Sequence, residues 1–132
     1  MDTTSITRSR TVPRVLCLIA AALLVAPALP ARADPVTDGK TAFAVCSACH
    51  SVTGASRLGP PLNGVIGRKA GSVAGFNYSP AMKRASVVWD AATLEQYIAN
   101  PQKAMPGNRM PFAGLQDETK RADIAAYLAT LP

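Results

Sequence analysis

Cys46-Ser47-Ala48-Cys49-His50 is the stretch on which the reading of this 132-residue chain turns. It is a C-x-x-C-H run, the attachment signature of c-type haem. Two thiols three residues apart lie on one side of a helical turn, so both reach one porphyrin edge and form thioethers. His50 comes directly after and supplies a proximal imidazole for the iron. Two other readings compete. A bare C-x-x-C also serves as a redox dithiol, but that wants a βαβ setting, and none is visible. A zinc site wants two further ligands, whereas His50 is the only histidine and Cys17 the only other cysteine. A second C-x-x-C-H is absent, so one haem is expected.

The residues before the motif read as an export signal. Arg8, Arg10 and Arg14 form a basic start, residues 15–29 an almost unbroken apolar run, and Ala31-Arg32-Ala33 a small-x-small cleavage pattern. The expectation is a cleaved signal peptide over 1–33 and one mature domain over 34–132, placed in the periplasm. The competing reading is an uncleaved membrane anchor, for which the run is short and proline-ended. Cys17 lacks the small residues that precede a lipid-modified cysteine. Half of the formal charge of +6 belongs to the leader, with Arg8, Arg10, Arg14 and Arg32 against Asp2. What remains is too weak and scattered for nucleic-acid binding, which needs a dense basic patch.

Glycine and proline divide the mature part. A helix is expected over 37–46, with Gly39, Phe43 and Cys46 on one face. Residues 51–78 hold six glycines and the Pro60-Pro61 pair, and read as loop. So long a loop in a small domain needs something to organise it, and a haem edge would do so. A short helix is expected after Ser79-Pro80. Another runs over 91–99 from an Asp90 cap to the Asn100-Pro101 stop. Residues 101–114 again read as loop, and a last helix starts near Asp117 and ends near Thr130. Its Ile124, Tyr127, Leu128 and Leu131 stripe should pack on Gly39 and Phe43. No segment alternates like a strand. The fold class expected is all-α, a small single domain with crossing terminal helices and loops wrapped round one haem.

With no second histidine, the sixth iron position falls to a methionine or stays open. Met110 sits in a proline-stiffened loop, Pro106-Gly107-Asn108-Arg109-Met110-Pro111-Phe112, suited to holding a weak thioether ligand. Met82 and Met105 are assigned to core packing.

The chain resembles a class I c-type cytochrome, similar to mitochondrial cytochrome c and its soluble bacterial counterparts. The resemblance runs from Gly39 to Leu131. It is carried by Phe43, the haem motif, Gly59-Pro60, Gly67-Arg68-Lys69, Gly75-Phe76-x-Tyr78, Trp89, Tyr97, Asn100-Pro101, Pro106-Gly107, Arg109-Met110, Phe112-Ala113-Gly114 and Ile124-Ala125-Ala126-Tyr127-Leu128. It implies one haem c bound through Cys46 and Cys49, with His50 and Met110 as axial ligands. The Pro60 carbonyl would accept the other His50 ring proton. Arg68, Tyr78 and Trp89 would satisfy the propionates, Tyr97 and Asn108 would lie near the Met110 sulfur, and Phe112 would cover the haem edge.

The implied function is that of a monomeric, soluble one-electron carrier and not an enzyme. Its redox partners would be a quinol–cytochrome oxidoreductase and a terminal oxidase or photosynthetic reaction centre. The alternatives are an electron-transfer subunit of a periplasmic dehydrogenase, or a haem enzyme or sensor with an open sixth site. Lys40, Arg57, Lys103 and Arg109 match basic positions that ring the haem edge in mitochondrial members. Val45, Gln102, Gln116 and Asp117 occupy other such positions without positive charge, which weakens purely electrostatic docking. Met82 replaces a polar residue usual near the haem.

Overall fold

The computed structural model describes Met1 and residues 34–132. The expected signal peptide, its cleavage after Ala33 and the reading of Cys17 lie outside the described residues. Among the described residues six helices succeed one another: α1 (Pro35–Ala42), α2 (Ala44–Ser47), α3 (Pro80–Arg84), α4 (Ala91–Ala99), α5 (Pro101–Ala104) and α6 (Glu118–Ala129). The same residues hold no strand, only an isolated antiparallel bridge between Lys69 and Val88. None of these helices is long and apolar enough to cross a membrane.

Most boundaries are set by capping. The Asp90 carboxylate accepts from the Thr93 N–H at 2.7 Å while the Thr93 hydroxyl accepts from the Asp90 N–H at 2.9 Å. This reciprocal box starts α4, and Asn100 ends it in extended geometry ahead of Pro101. Asp117 caps α6 through the Lys120 N–H at 3.0 Å. Ser79 caps α3 through the Met82 N–H at 3.1 Å.

Two expectations are corrected. The first helix begins at Pro35, because Asp34 accepts from the Thr37 N–H at 3.0 Å and Pro35 suits the first turn. It also breaks at Phe43, which ends α1 and opens α2. The loop assigned to 101–114 contains α5, capped by the Asn100 side chain on the Lys103 N–H at 3.0 Å.

The terminal helices cross as the apolar stripe requires. A Cβ at Gly39 would collide with the Asp123 carbonyl, so only glycine permits this approach. Beside it Phe43 meets Tyr127 with ring centroids 5.7 Å apart. Ile124 and Leu128 are fully buried beneath. α4 packs on α6 through its own apolar face of Leu94, Tyr97 and Ile98. The loop residues among those described build a wall that faces these helices.

Candidate haem site

That wall and the helices enclose a cavity of about 550 Å³. Cys46 and Cys49, both half-buried, lie on its lining together with His50. α2 and the turn after it present all three. The turn is closed by the Cys46 carbonyl, which accepts from the Cys49 N–H at 3.1 Å and the His50 N–H at 2.9 Å. Burial, and then the neighbouring Cys49, push the Cys46 thiol up to about 11, so it stays neutral in this apolar setting.

The His50 ring is fixed by two backbone features. Its Nδ1 lies 2.7 Å from the Pro60 carbonyl, which can only accept, so Nδ1 carries the proton. The Nε2 lone pair is thereby left available to a metal. Burial lowers the imidazole pKa and the Pro60 bond partly restores it, which keeps the ring neutral at physiological pH. Gly59 closes on the ring, and a Cβ there would clash with the imidazole, at 2.6 Å from Nδ1. The Gly59 N–H donates to the Cys49 carbonyl at 2.9 Å, tying the 59–60 segment to the motif.

Met110 lines the same cavity. Its backbone N–H donates to Asn108 Oδ1 at 2.8 Å, and its carbonyl accepts from Gln102 at 3.1 Å. Asn108 is buried, and its amide donates to the Pro101 and Met105 carbonyls at 2.8 and 2.9 Å. One side chain thus staples α5, the turn after it and the methionine together. Asn108 is absent from the cavity lining. Its amide faces the carbonyls of the α5 turn, and its Oδ1 holds the Met110 main chain.

The other expected site residues, Pro60, Arg68, Tyr78, Trp89, Tyr97 and Phe112, all line the cavity. The Arg68 guanidinium is held by the Pro61 and Asn63 carbonyls at 2.6 and 3.0 Å, which leaves further N–H groups for an acidic ligand. Trp89 packs on Tyr97 with centroids 5.1 Å apart. Desolvation alone pushes the Tyr97 phenol up to about 12, so it remains a neutral donor.

Three further residues line the site, and only Leu58 among them goes unremarked in the sequence. Met82, assigned to the core, packs against it half-buried but also lines the cavity, whereas Met105 is buried in the core as expected. The Ser79 cap signal, which places Met82 one turn into α3, is the clue. Leu58 and Val45 also line the cavity. The Gly67–Trp89 and Ala70–Val87 backbone bonds, 2.7 and 2.8 Å, join the two loop stretches that carry Arg68 and Trp89. So short a bridge leaves no alternation to read.

These residues fit a haem. The walls are apolar, with Leu62, Val65, Leu94 and Ile98, and the polar lining offers cations and hydroxyls, Arg68, Tyr78 and Ser79, for two carboxylates. Among the described residues no Asp or Glu lines the cavity to oppose them. One imidazole and two thioethers, those of Met82 and Met110, are donors that suit iron in a porphyrin, and the two thiols suit covalent attachment to the porphyrin edge.

Known proteins share this geometry. The cytochrome c family model matches residues 36–132. A cytochrome c2 of Rhodomicrobium vannielii is 44% identical over 117 residues, covering 87% of this chain and 93% of that one. A cytochrome c-550 of Ancylobacter novellus is 50% identical over 97 residues, 70% of this chain and 91% of its own. Among solved structures, cytochrome cH from Methylobacterium extorquens superposes with a TM-score of 0.69 at 44% identity, over 72% of this chain and 97% of that chain. A match across the helix crossing, the motif and both loop walls takes in nearly all of residues 34–132: the chain belongs to the cytochrome c family, holds one covalently attached haem c and works as a one-electron carrier.

Proposed function

We propose that this carrier works in a bacterial periplasm, after removal of residues 1–33, and passes electrons between membrane complexes without catalysing a reaction of its own. Haem c, when bound, supplies an iron that alternates between ferrous and ferric. His50, through Nε2, and Met110, through Sδ, would hold the iron in this reading. Arg68, Tyr78 and Trp89 would donate to the propionates, which are costly to bury unpaired. Tyr97 would lie near the Met110 sulfur, and Phe112 would cover the haem edge. Each residue's task is to hold geometry, so that neither oxidation state requires a bond to form or break. The donor is a quinol–cytochrome oxidoreductase. The acceptor is a terminal oxidase or a photosynthetic reaction centre, and the protein is a monomer that meets each through a small interface.

The observation that carries this reading is the pinning of both candidate ligands by their surroundings. His50 is fixed by Pro60 and Gly59, and the Met110 main chain by Asn108 and Gln102. An open iron site for an enzyme would instead need a mobile sixth group and distal acid–base residues. The test is Met110→Ala, examined by near-infrared absorption of the ferric protein and by potentiometry. The sulfur-to-iron charge-transfer band should vanish. The midpoint potential should fall by on the order of 0.1–0.2 V, within the roughly 0.8 V that axial ligands command. An unchanged band and potential would remove Met110 from the iron.

A further inference from the structure

The segment that carries Met110 is tied down at its ends. The Asn108 N–H donates to the Met105 carbonyl at 3.1 Å, and the Leu115 N–H to the Ile98 carbonyl at 2.9 Å. Among the described residues no backbone–backbone bond reaches residues 109–114 between these anchors. Within that stretch Met110 alone is hydrogen-bonded among the described residues, and both of its bonds come from side chains.

The two bonds differ in kind. Asn108, on the N–H side, is buried. Its amide is spent on the Pro101 and Met105 carbonyls, which aims its Oδ1 at the Met110 N–H. Gln102, on the carbonyl side, stands exposed on α5. Its Nε2 reaches the Met110 carbonyl at 3.1 Å and lies 3.5 Å from Asn108 Oδ1. Both partners are acceptors, so the Gln102 side chain must turn its NH2 toward them. Pro111 follows Met110 and has no N–H to help hold the chain. Water competes with an exposed bond more readily than with a buried one, so the segment opens from its carbonyl side.

We infer that Gln102 is a positioning residue for the sixth iron ligand: by holding the Met110 carbonyl it sets how often the thioether leaves the iron and how readily a small neutral base takes its place. The inference rests on Met110 ligation in the carrier reading and adds what controls that ligand's release. Asn108 and Gln102 divide the work. Asn108 fixes where the segment sits, and its bond to the Met110 N–H is the pivot. Gln102 fixes how long the segment stays, because the freed carbonyl lets Met110 swing about that pivot. A closed latch serves a carrier, since a vacated iron position would take up other ligands and lose the potential that the thioether sets.

The test uses the haem-loaded ferric protein with imidazole as the incoming base. The sulfur-to-iron charge-transfer band is followed after mixing, and at saturating imidazole its decay reports thioether release. Gln102→Glu keeps the size and helix preference of the side chain. At neutral pH it has no proton to donate. It should release the thioether about threefold to tenfold faster than wild type, as expected for one lost hydrogen bond. Gln102→Ala also lacks the donor, and it serves in the same way if the glutamate variant takes up haem poorly. Gln102→Arg restores a donor that cannot lose its proton to bind iron, and should return the rate to within about twofold of wild type. Wild-type release rates in the glutamate and alanine variants would overturn the role of Gln102 and leave Met110 ligation standing. Faster release that arginine does not restore would also overturn it, since packing of α5 and not the donor would then be responsible. A wild-type ferric protein without the charge-transfer band would overturn the ligation reading itself.

Discussion

Where α1 crosses α6, close packing of side chains and one missing Cβ decide the structure; around the cavity, single backbone hydrogen bonds do. At the crossing Gly39 rests on the Asp123 carbonyl and Phe43 packs on Tyr127, with Ile124 and Leu128 sealed below. Along the wall, the Leu62 N–H donates to Ser51 at 2.8 Å, Gly67 to Trp89 at 2.7 Å and Leu115 to Ile98 at 2.9 Å, one bond at a time. A dense crossing is self-supporting, because burial of its apolar faces repays its ordering. A wall of isolated bonds is shaped to a contour that the cofactor supplies. Changes in the first region should therefore act on stability, and changes in the second on the iron.

The largest effect is expected at the crossing. Gly39→Val should destabilise the haem-loaded protein by about 3 kcal/mol or more, because the branched side chain meets backbone that cannot step aside. Thermal unfolding checks this, and a loss below about 1 kcal/mol would mean that the helices slide apart easily. The midpoint potential should stay near the wild-type value. Gly59→Ala should show the opposite balance. Its Cβ would displace the imidazole held by Pro60. The absorption spectrum and potential should shift, while stability falls by only about 1–2 kcal/mol. A wild-type spectrum in this variant would blur the distinction between the two regions.

The smallest effect is expected at an exposed helix start. The Thr93 backbone N–H and then the Thr93 hydroxyl hold the Asp90 carboxyl below its usual range. A carboxyl depressed in the folded state contributes stability above its unfolded pKa and loses it as pH falls through the folded one. Asp90→Asn keeps a capping side chain without the charge. Wild type should therefore melt slightly above this variant at neutral pH, and the gap should close through the acid range. A gap independent of pH would show that the charge is irrelevant to the cap.

The two regions also differ in how plainly the sequence announces them. α4 is legible to the residue, since Asp90 opens it and Asn100-Pro101 closes it, and both signals are local. The α6 stripe and Gly39 foretell the crossing because helical spacing brings them to one face. α5 escapes because a four-residue helix has no periodicity, although Asn100-Pro101 repeats the cap-then-proline signal of Ser79-Pro80. The motif and the aromatic markers lead to the cavity lining. Asn108 does not, because its role depends on which carbonyls the α5 turn aims at it, and that is a three-dimensional fact. The exposure of Leu58 is of the same kind, since nothing in a glycine-rich loop marks which way an apolar side chain faces.

Main chain sets the shape of the cavity wall, and Gly71, at φ +70°, carries this furthest. It has no side chain where the Met82 carbonyl approaches, so α3 lies flush against the loop and hangs the Met82 thioether over the haem space. A frame of this kind lets its hanging groups be exchanged without moving. Evolution can then reset the voltage of the carrier by swapping one pendant side chain for a wetter or drier one, while the architecture that partners recognise is inherited intact.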